Sequence, residues 1–170
     1  AIAAVCRKHD VLMISDEVVT GFGRTGAWSG ARLWGVEPDM MTIAKAITSG
    51  YFPLGATLIN DRIAEAFEGD QSTFGSIGHG YTYSGHPVGC AAGIAALAET
   101  RRLKLDENAA ARGKELAEAL GQLKTKHAIV GDVRCQGLMA AIELVSDRDT
   151  KKAADKSTMA AVAERVYDAG

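Results

Sequence analysis

The hydrophobic pattern of the first 70 residues predicts strands that alternate with helices. Residues 1–6 are small and apolar and read as a helix, and 11–15 form a continuous apolar run too short for a helix. Such a run is typical of a parallel strand covered on both faces. Similar runs follow at 40–44 and 56–59, and Asn60 is expected to cap a helix over 61–67. This alternation predicts an α/β architecture with an open parallel sheet.

The pattern changes in the second half of the chain. After a predicted loop over 69–86, Pro87 is expected to begin a helix that continues with small residues to Thr100. Residues 106–126 carry leucines among charges, which indicates an amphipathic helix. Two strands, 129–134 and 138–144, join at Gln136-Gly137 and precede a helix from about Lys156. Because alternation gives way to α+β order, we expect two domains, 1–105 and 106–170.

Composition narrows the class of protein. The chain has 47% hydrophobic and 24% charged residues, which suits a folded domain with a sizeable core. Its net charge is −2, so the sequence lacks the excess of positive charge that nucleic-acid-binding proteins carry, and no such partner is predicted. The sequence contains no recognisable secretion signal and no apolar run of about 18 residues, so neither secretion nor a membrane partner is predicted. Three widely spaced cysteines, Cys6, Cys90 and Cys135, argue against a disulfide framework and favour a cytoplasmic location. Both ends of the chain read as cuts.

A glycine-rich segment, 21–26, matches the Gly-x-Gly-x-x-Gly pattern of dinucleotide-binding proteins. That fingerprint requires its first glycine at the end of a strand and a helix that opens on its third. Here residues 17–20 separate the strand from Gly21, and 27–30 is not expected to start a helix. The nearest downstream acid, Asp39, stands at the beginning of a predicted strand. The context therefore argues against a dinucleotide site.

Asp16 and Lys45 follow two of the predicted parallel strands, at the ends where open α/β sheets bind ligands. If the extended conformation persists, Asp16 and Val18 share one face of the strand and Glu17 points to the other. An amine, a carboxylate and an apolar surface are what pyridoxal phosphate requires. Taken singly, a strand-end lysine more often reaches solvent and a strand-end aspartate more often caps a turn. The choice between these ordinary roles and a cofactor site therefore depends on the motifs that surround the two residues.

That context consists of five motifs in order. They are Asp-Glu-Val-Val-Thr-Gly-Phe-Gly-Arg-Thr-Gly at 16–26, Pro-Asp at 38–39, Ala-Lys at 44–45, Gly-Tyr-Phe-Pro-Leu-Gly-Ala at 50–56 and His-Gly-Tyr-Thr-Tyr-Ser-Gly-His-Pro at 79–87. Together they resemble the class III, or omega-type, aminotransferases. Residues 131–134 and 137–144 resemble the strands of that family's small domain more loosely.

The resemblance implies a fold and a cofactor site. The fold would be that of the fold type I pyridoxal-phosphate enzymes, with 1–105 as the C-terminal part of the large α/β/α domain and 106–170 as part of the small α+β domain. Lys45 would form a Schiff base with pyridoxal 5'-phosphate, Asp16 would pair with its pyridine nitrogen, and Val18 would pack on its ring. Thr82 would bind the cofactor phosphate from the neighbouring subunit of a homodimer with shared active sites.

The resemblance also implies a reaction, the transfer of an amino group from an amine or omega-amino acid to a 2-oxo acid such as pyruvate. An aminomutase or decarboxylase of the same fold would share Asp16 and Lys45. A noncatalytic fragment is a third alternative, because the N-terminal half of the family pattern and its distal carboxylate-binding arginine are not in these residues. Arg24 is therefore not assigned to the substrate carboxylate.

The remaining polar and aromatic loop residues are assigned no chemistry. His79 and His86 lack a third ligand with suitable spacing, so they are expected to be loop hydrogen-bonders and no metal site is predicted. Trp28, Tyr81 and Tyr83 are expected to fill a subunit interface.

Overall fold

The structure, a computed structural model, describes residues 1–68 and 77–170, so the first part of the predicted loop over 69–86 lies outside the described residues. The chain divides into two compact units, 1–109 and 110–170. The assignment of 1–105 and 106–170 to the large and small domains of a fold type I enzyme stays a prediction.

The first unit has a small mixed sheet with helices. Its elements are α1 (Ile2–Lys8), β1 (Ile14–Asp16), α2 (Gly30–Leu33), β2 (Met40–Ile43), a 3₁₀ turn (Lys45–Ile47), β3 (Ala56–Ile59), α3 (Asp61–Glu68) and α4 (Pro87–Arg102), and α5 (Leu105–Lys126) begins in this unit. The strand order is β1-β2-β3. Strands and helices therefore alternate as the hydrophobic pattern predicts.

The sheet is not wholly parallel, so that prediction was wrong. β1 and β2 are parallel, but β3 runs antiparallel to β2, with Ile43 opposite Ala56 and Met40 opposite Ile59. A parallel neighbour needs a crossover of a dozen or more residues, usually a helix. The connection over 44–55 has twelve residues but contains only the 3₁₀ turn and no crossover helix, and the chain returns in the opposite direction.

β1 also differs from its prediction. It begins at Ile14 instead of residue 11, and Ile14 is 57% exposed, so coverage on both faces was wrong for this chain. A continuous apolar run marks a segment that favours burial but does not say which neighbours bury it. The residues of β3 are exposed as well. The buried apolar residues of this unit include Ala3, Ala31 and Ile47.

A one-turn helix, α2, starts where none was predicted. Ser29 is its N-cap, and the Ser29 hydroxyl accepts a hydrogen bond from the Arg32 amide at 3.1 Å. The Gly30 and Ala31 amides donate to the Glu17 carboxylate at 2.8 and 2.7 Å. Free amides at a helix start need such acceptors. The helix therefore depends on a side chain distant in sequence, which a local pattern does not show.

The second unit contains the rest of α5, the strands β4 (Val130–Gln136), β5 (Met139–Asp147) and β6 (Lys152–Ala153), and α6 (Lys156–Asp168). The three strands form an antiparallel sheet in that order. Its buried apolar residues include Leu120, Val130 and Val145. The two predicted strands and the final helix are confirmed, and β6 is an addition.

Candidate functional site

Asp16 and Lys45 lie at the carboxyl ends of two neighbouring parallel strands. Asp16 is the last residue of β1 and is in register with Thr42 of β2. The next residue, Glu17, donates its amide to the Thr42 carbonyl at 2.9 Å. β2 ends at Ile43, and Lys45 follows two residues later. The strand pairing thus brings both segments to the same edge of the sheet, which is where such sheets bind ligands.

The Asp16 carboxylate is exposed. Its Oδ1 accepts a hydrogen bond from the Val18 amide at 3.0 Å. Its Oδ2 accepts no hydrogen bond from the described residues. The carboxylate is therefore held by one oxygen and can accept a donor from a ligand with the other.

Lys45 has a backbone conformation that side chains seldom adopt. Its φ of 48° lies in the left-handed region, and the residue opens the 3₁₀ turn. That conformation costs a non-glycine residue about 1–3 kcal/mol and tends to occur at functional sites. The surroundings hold it, because Ile47 and Thr48 are buried and the Thr48 hydroxyl donates to the Phe52 carbonyl at 2.6 Å. The chain therefore leaves the direction of β2 at the exposed Lys45.

Val18 stands in a turn. The extended conformation ends at Asp16, and residues 18–20 form a turn closed by the Gly21 amide, which donates to the Glu17 carbonyl at 2.9 Å. Strand alternation therefore does not place Val18 on the face of Asp16, and that premise was wrong. Packing of Val18 on a cofactor ring stays a prediction.

Glu17 is the residue that the sequence reasoning left without a role. It is 2% exposed. Its carboxylate accepts hydrogen bonds from the Gly30 and Ala31 amides, the Ser15 hydroxyl at 3.0 Å and the Thr20 hydroxyl. Burial acts to raise the pKa of Glu17, but these donors outweigh it and hold the pKa below its ordinary value. The hydroxyl residues near Glu17 in the sequence, Ser15 and Thr20, are the feature that could have indicated a hydrogen-bonded carboxylate at this position.

Thr82 is exposed, in a turn that precedes α4. The Ser84 hydroxyl accepts from the Tyr81 amide at 2.9 Å and holds this turn. α4 packs against the segment after Lys45, because a Cβ on Gly93 would lie 3.3 Å from the Leu54 side chain. The binding of a phosphate by Thr82 in a partner subunit stays a prediction.

The aromatic and histidine side chains have structural contacts. His86 caps α4, its Nδ1 accepting from the Val88 amide at 3.2 Å, as expected of a loop hydrogen-bonder. The His79 ring packs edge-on against Tyr81, with 5.1 Å between ring centroids. Trp28 packs edge-on against Phe22 and beneath the Arg101 guanidinium, so it has partners within its own unit.

Metal-binding groups and membrane-spanning helices are both absent from residues 1–68 and 77–170. In these ranges no three His, Cys, Asp or Glu side chains form a group that could hold a metal ion. The helices of the same ranges include none with the length and apolar character needed to cross a membrane.

A cavity of about 370 Å³ lies beside Glu17 and is lined mainly by apolar side chains, among them Phe22, Met41 and Leu58. Neither Asp16 nor Lys45 lines it. Its charged lining residues are Glu17, Glu37 and Arg32, with no lysine among them, so the candidate chemistry belongs to the strand ends and not to this cavity.

Comparisons with known proteins agree with the resemblance. The diaminobutyrate–2-oxoglutarate transaminase of Halomonas elongata is 47% identical over 156 residues, which are 92% of this chain and 33% of that protein. The putrescine–pyruvate aminotransferase of Pseudomonas aeruginosa is 39% identical over 151 residues, 89% of this chain and 32% of that protein. An amine transaminase from an uncultivated Pseudomonas species, solved in its PLP-bound form, superposes with a TM-score of 0.86 at 50% identity, over 92% of this chain and 35% of that one.

The chain thus spans about a third of the length of the relatives that it matches. The structural neighbours also show that these 170 residues have part of the fold of PLP-dependent transaminases. The family model of the class III aminotransferases matches residues 1–170. The chain therefore belongs to the class III aminotransferases.

Proposed function

We propose that this chain supplies the lysine and the carboxylate of a pyridoxal-phosphate site that transfers an amino group from an amine or omega-amino acid to a 2-oxo acid such as pyruvate. The observation that carries the proposal is the placement of Asp16 and Lys45 at the ends of adjacent parallel strands. The names of two relatives support the substrate class, since one acts on diaminobutyrate with 2-oxoglutarate and the other on putrescine with pyruvate.

The residues present fit the cofactor. When bound, pyridoxal phosphate supplies an aldehyde that condenses with amines and a ring that accepts electrons. The free Oδ2 of Asp16 suits the N–H of a protonated ring nitrogen, and its charge favours that protonated form. The Lys45 Nζ would hold the cofactor covalently at the neighbouring strand end.

Lys45 has a second role in the proposal. Once a substrate amine has replaced it on the cofactor, the freed Lys45 amine would act as a base that takes a proton from the substrate carbon and delivers it to the cofactor. A flexible four-carbon stem lets Nζ reach both positions. Asp16 would orient the ring.

The finer parts of the proposal concern the assembly. Relatives three times longer suggest that the chain works within a longer polypeptide, and we propose a homodimer in which Thr82 binds the phosphate of its partner's cofactor. Tyr81 and Tyr83, which flank Thr82, are 76% and 74% exposed, as suits a surface that a second subunit covers. Val18 is proposed to contact the ring. We also propose a cytoplasmic location, because Cys6, Cys90 and Cys135 are free thiols and a reducing compartment keeps thiols free.

The test uses the complete polypeptide that contains this chain, loaded with pyridoxal phosphate and given putrescine and pyruvate. We expect alanine to form, and Lys45→Ala to lower its rate by about 10²- to 10⁴-fold, the range for loss of a general base, or by more because the covalent link is lost as well. Lys114→Ala, an exposed lysine of α5, is the matched control and should keep the wild-type rate.

Other products would decide against amino transfer. Release of carbon dioxide when the same protein is given an amino acid, without transfer of its amino group to pyruvate, indicates a decarboxylase, and an isomerised amine indicates an aminomutase. Formation of alanine at the wild-type rate by the Lys45→Ala variant contradicts the role of Lys45.

A further inference from the structure

A buried carboxylate stands directly beside the candidate cofactor ligand. Glu17 follows Asp16 in the chain, is 2% exposed, and has no place in the proposed chemistry. Four donors surround it, two backbone amides and two hydroxyls. Because all four face acceptor positions, the ionised form satisfies them, whereas a protonated carboxyl would turn an O–H toward a donor.

Contacts lead from this carboxylate to Asp16. The Glu17 carboxylate accepts from Thr20, and the Glu17 carbonyl accepts from the Gly21 amide, so Glu17 closes the turn over 18–20 from both ends. That turn presents the Val18 amide, which is the described donor to Asp16 Oδ1. The orientation of the Asp16 carboxylate therefore depends on a turn that Glu17 holds.

Backbone pairing adds a second connection. The Glu17 amide donates to the Thr42 carbonyl on β2, the strand that leads to Lys45. At the other end of the loop, the Gly30 and Ala31 amides anchor the Glu17 carboxylate to α2. A Cβ on Gly30 would lie 3.3 Å from Glu17 Oε2, so the loop approaches the carboxylate closely. Glu17 is thus fixed between β2 and α2.

We propose that Glu17 is a positioning residue, which holds the turn over 18–20 and thereby aims the Asp16 carboxylate at the ring nitrogen of the cofactor. This inference rests on the proposed role of Asp16. Glu17 itself touches neither cofactor nor substrate, so its effect passes through Asp16.

A double-mutant cycle in the complete polypeptide loaded with pyridoxal phosphate tests this. The readout is the pH midpoint of the visible absorbance band of the bound cofactor, which responds to the charge at the ring nitrogen. Asp16→Asn should shift the midpoint by about one to three pH units, the range for loss of an adjacent opposite charge. Glu17→Gln should shift it in the same direction by less. The double variant should shift no further than Asp16→Asn, because residues that act through one another are not additive.

A milder pair of variants controls for folding and for charge. Thr20→Val removes one donor to Glu17 but leaves its charge in place, and Thr20→Ser keeps the hydroxyl. We expect Thr20→Val to shift the midpoint in the direction of Asp16→Asn and Thr20→Ser to match the wild type. This pair decides the question if Glu17→Gln does not fold.

The outcomes separate the two proposals. If Asp16→Asn leaves the midpoint unchanged, the proposed role of Asp16 is wrong and the role of Glu17 falls with it. If Asp16→Asn shifts the midpoint while Glu17→Gln and Thr20→Val do not, only the positioning role is wrong. Additive shifts in the double variant also overturn it, because they show that Glu17 acts independently of Asp16.

Discussion

Replacing Glu17 by glutamine removes the charge that anchors the start of α2 but keeps the size of the side chain. The Gly30 and Ala31 amides donate to this carboxylate at 2.8 and 2.7 Å. Each carboxylate oxygen accepts from one of these amides and from one hydroxyl, so the glutamine NH₂ must face one amide while the glutamine oxygen still accepts from the other. A hydrogen bond to a charged group contributes about 1.5–3 kcal/mol and a neutral one about 0.5–1.5 kcal/mol, so the amide that keeps its acceptor loses about 1 kcal/mol. The other amide is left unsatisfied, and an unsatisfied buried donor costs about 1–3 kcal/mol. We therefore expect the free energy of local opening to fall by about 3 kcal/mol.

Hydrogen exchange measures that opening directly. A loss of about 3 kcal/mol corresponds to roughly 100-fold faster exchange, since every 1.4 kcal/mol is tenfold. The assay follows peptides that cover 28–34 by mass spectrometry at neutral pH, in the complete polypeptide without cofactor. Peptides from α6 serve as the internal reference. Glu37→Gln, an exposed glutamate in the same unit, is the matched variant and should exchange like the wild type.

The dependence of α2 on Glu17 is refuted if the Glu17→Gln protein exchanges at 28–34 within about threefold of the wild type, a difference that corresponds to about 0.7 kcal/mol. It is refuted equally if Glu37→Gln accelerates that segment as much. Either result shows that α2 does not depend on the buried carboxylate.

Three further predictions follow from single contacts. The pKa of folded Glu17 lies below its ordinary value of 4.5, so the stability that its charge contributes is present above pH 4.5 and is lost as the pH falls through the folded pKa. The protection factor at 28–34, which corrects for the slower intrinsic exchange of amides in acid, should therefore fall more in the wild type than in Glu17→Gln. Gly113→Ala should destabilise the protein by about 1–3 kcal/mol in urea unfolding, because its Cβ would overlap the Gly137 carbonyl, whereas Gly121→Ala, in open space on the same helix, should stabilise by about 0.5–1 kcal/mol. Asp155 caps α6 by accepting from the Thr158 amide, so Asp155→Ala should speed exchange in the first turn of α6 while Asp155→Asn retains most of the protection.

The elements that the sequence predicts well are those set by adjacent residues. Asn60 caps α3 through the Ile63 amide at 3.1 Å, and Pro87 opens α4, as their positions indicate. The direction of β3 and the start of α2 depend on contacts between distant segments. Hydrophobic periodicity describes only neighbouring positions in the sequence, so it could predict neither the direction of β3 nor the start of α2.

Some features of the candidate site could likewise be predicted from adjacent residues, and others could not. Strand-end positions for Asp16 and Lys45 follow from apolar runs that end in polar residues, and the strand pairing agrees. The left-handed backbone of Lys45 and the burial of Glu17 follow from packing around them, which the local sequence does not reveal. Val18 lies in a turn, so the alternation of side chains along a strand does not apply to it.

The central claim is that Lys45 holds the cofactor, and reductive labelling tests it most directly. The complete polypeptide is loaded with pyridoxal phosphate, reduced with borohydride, digested and mapped by mass spectrometry. A single phosphopyridoxyl group on Lys45 is the result that this account predicts. A label on another lysine, or a loaded protein from which no labelled peptide is recovered, would contradict it.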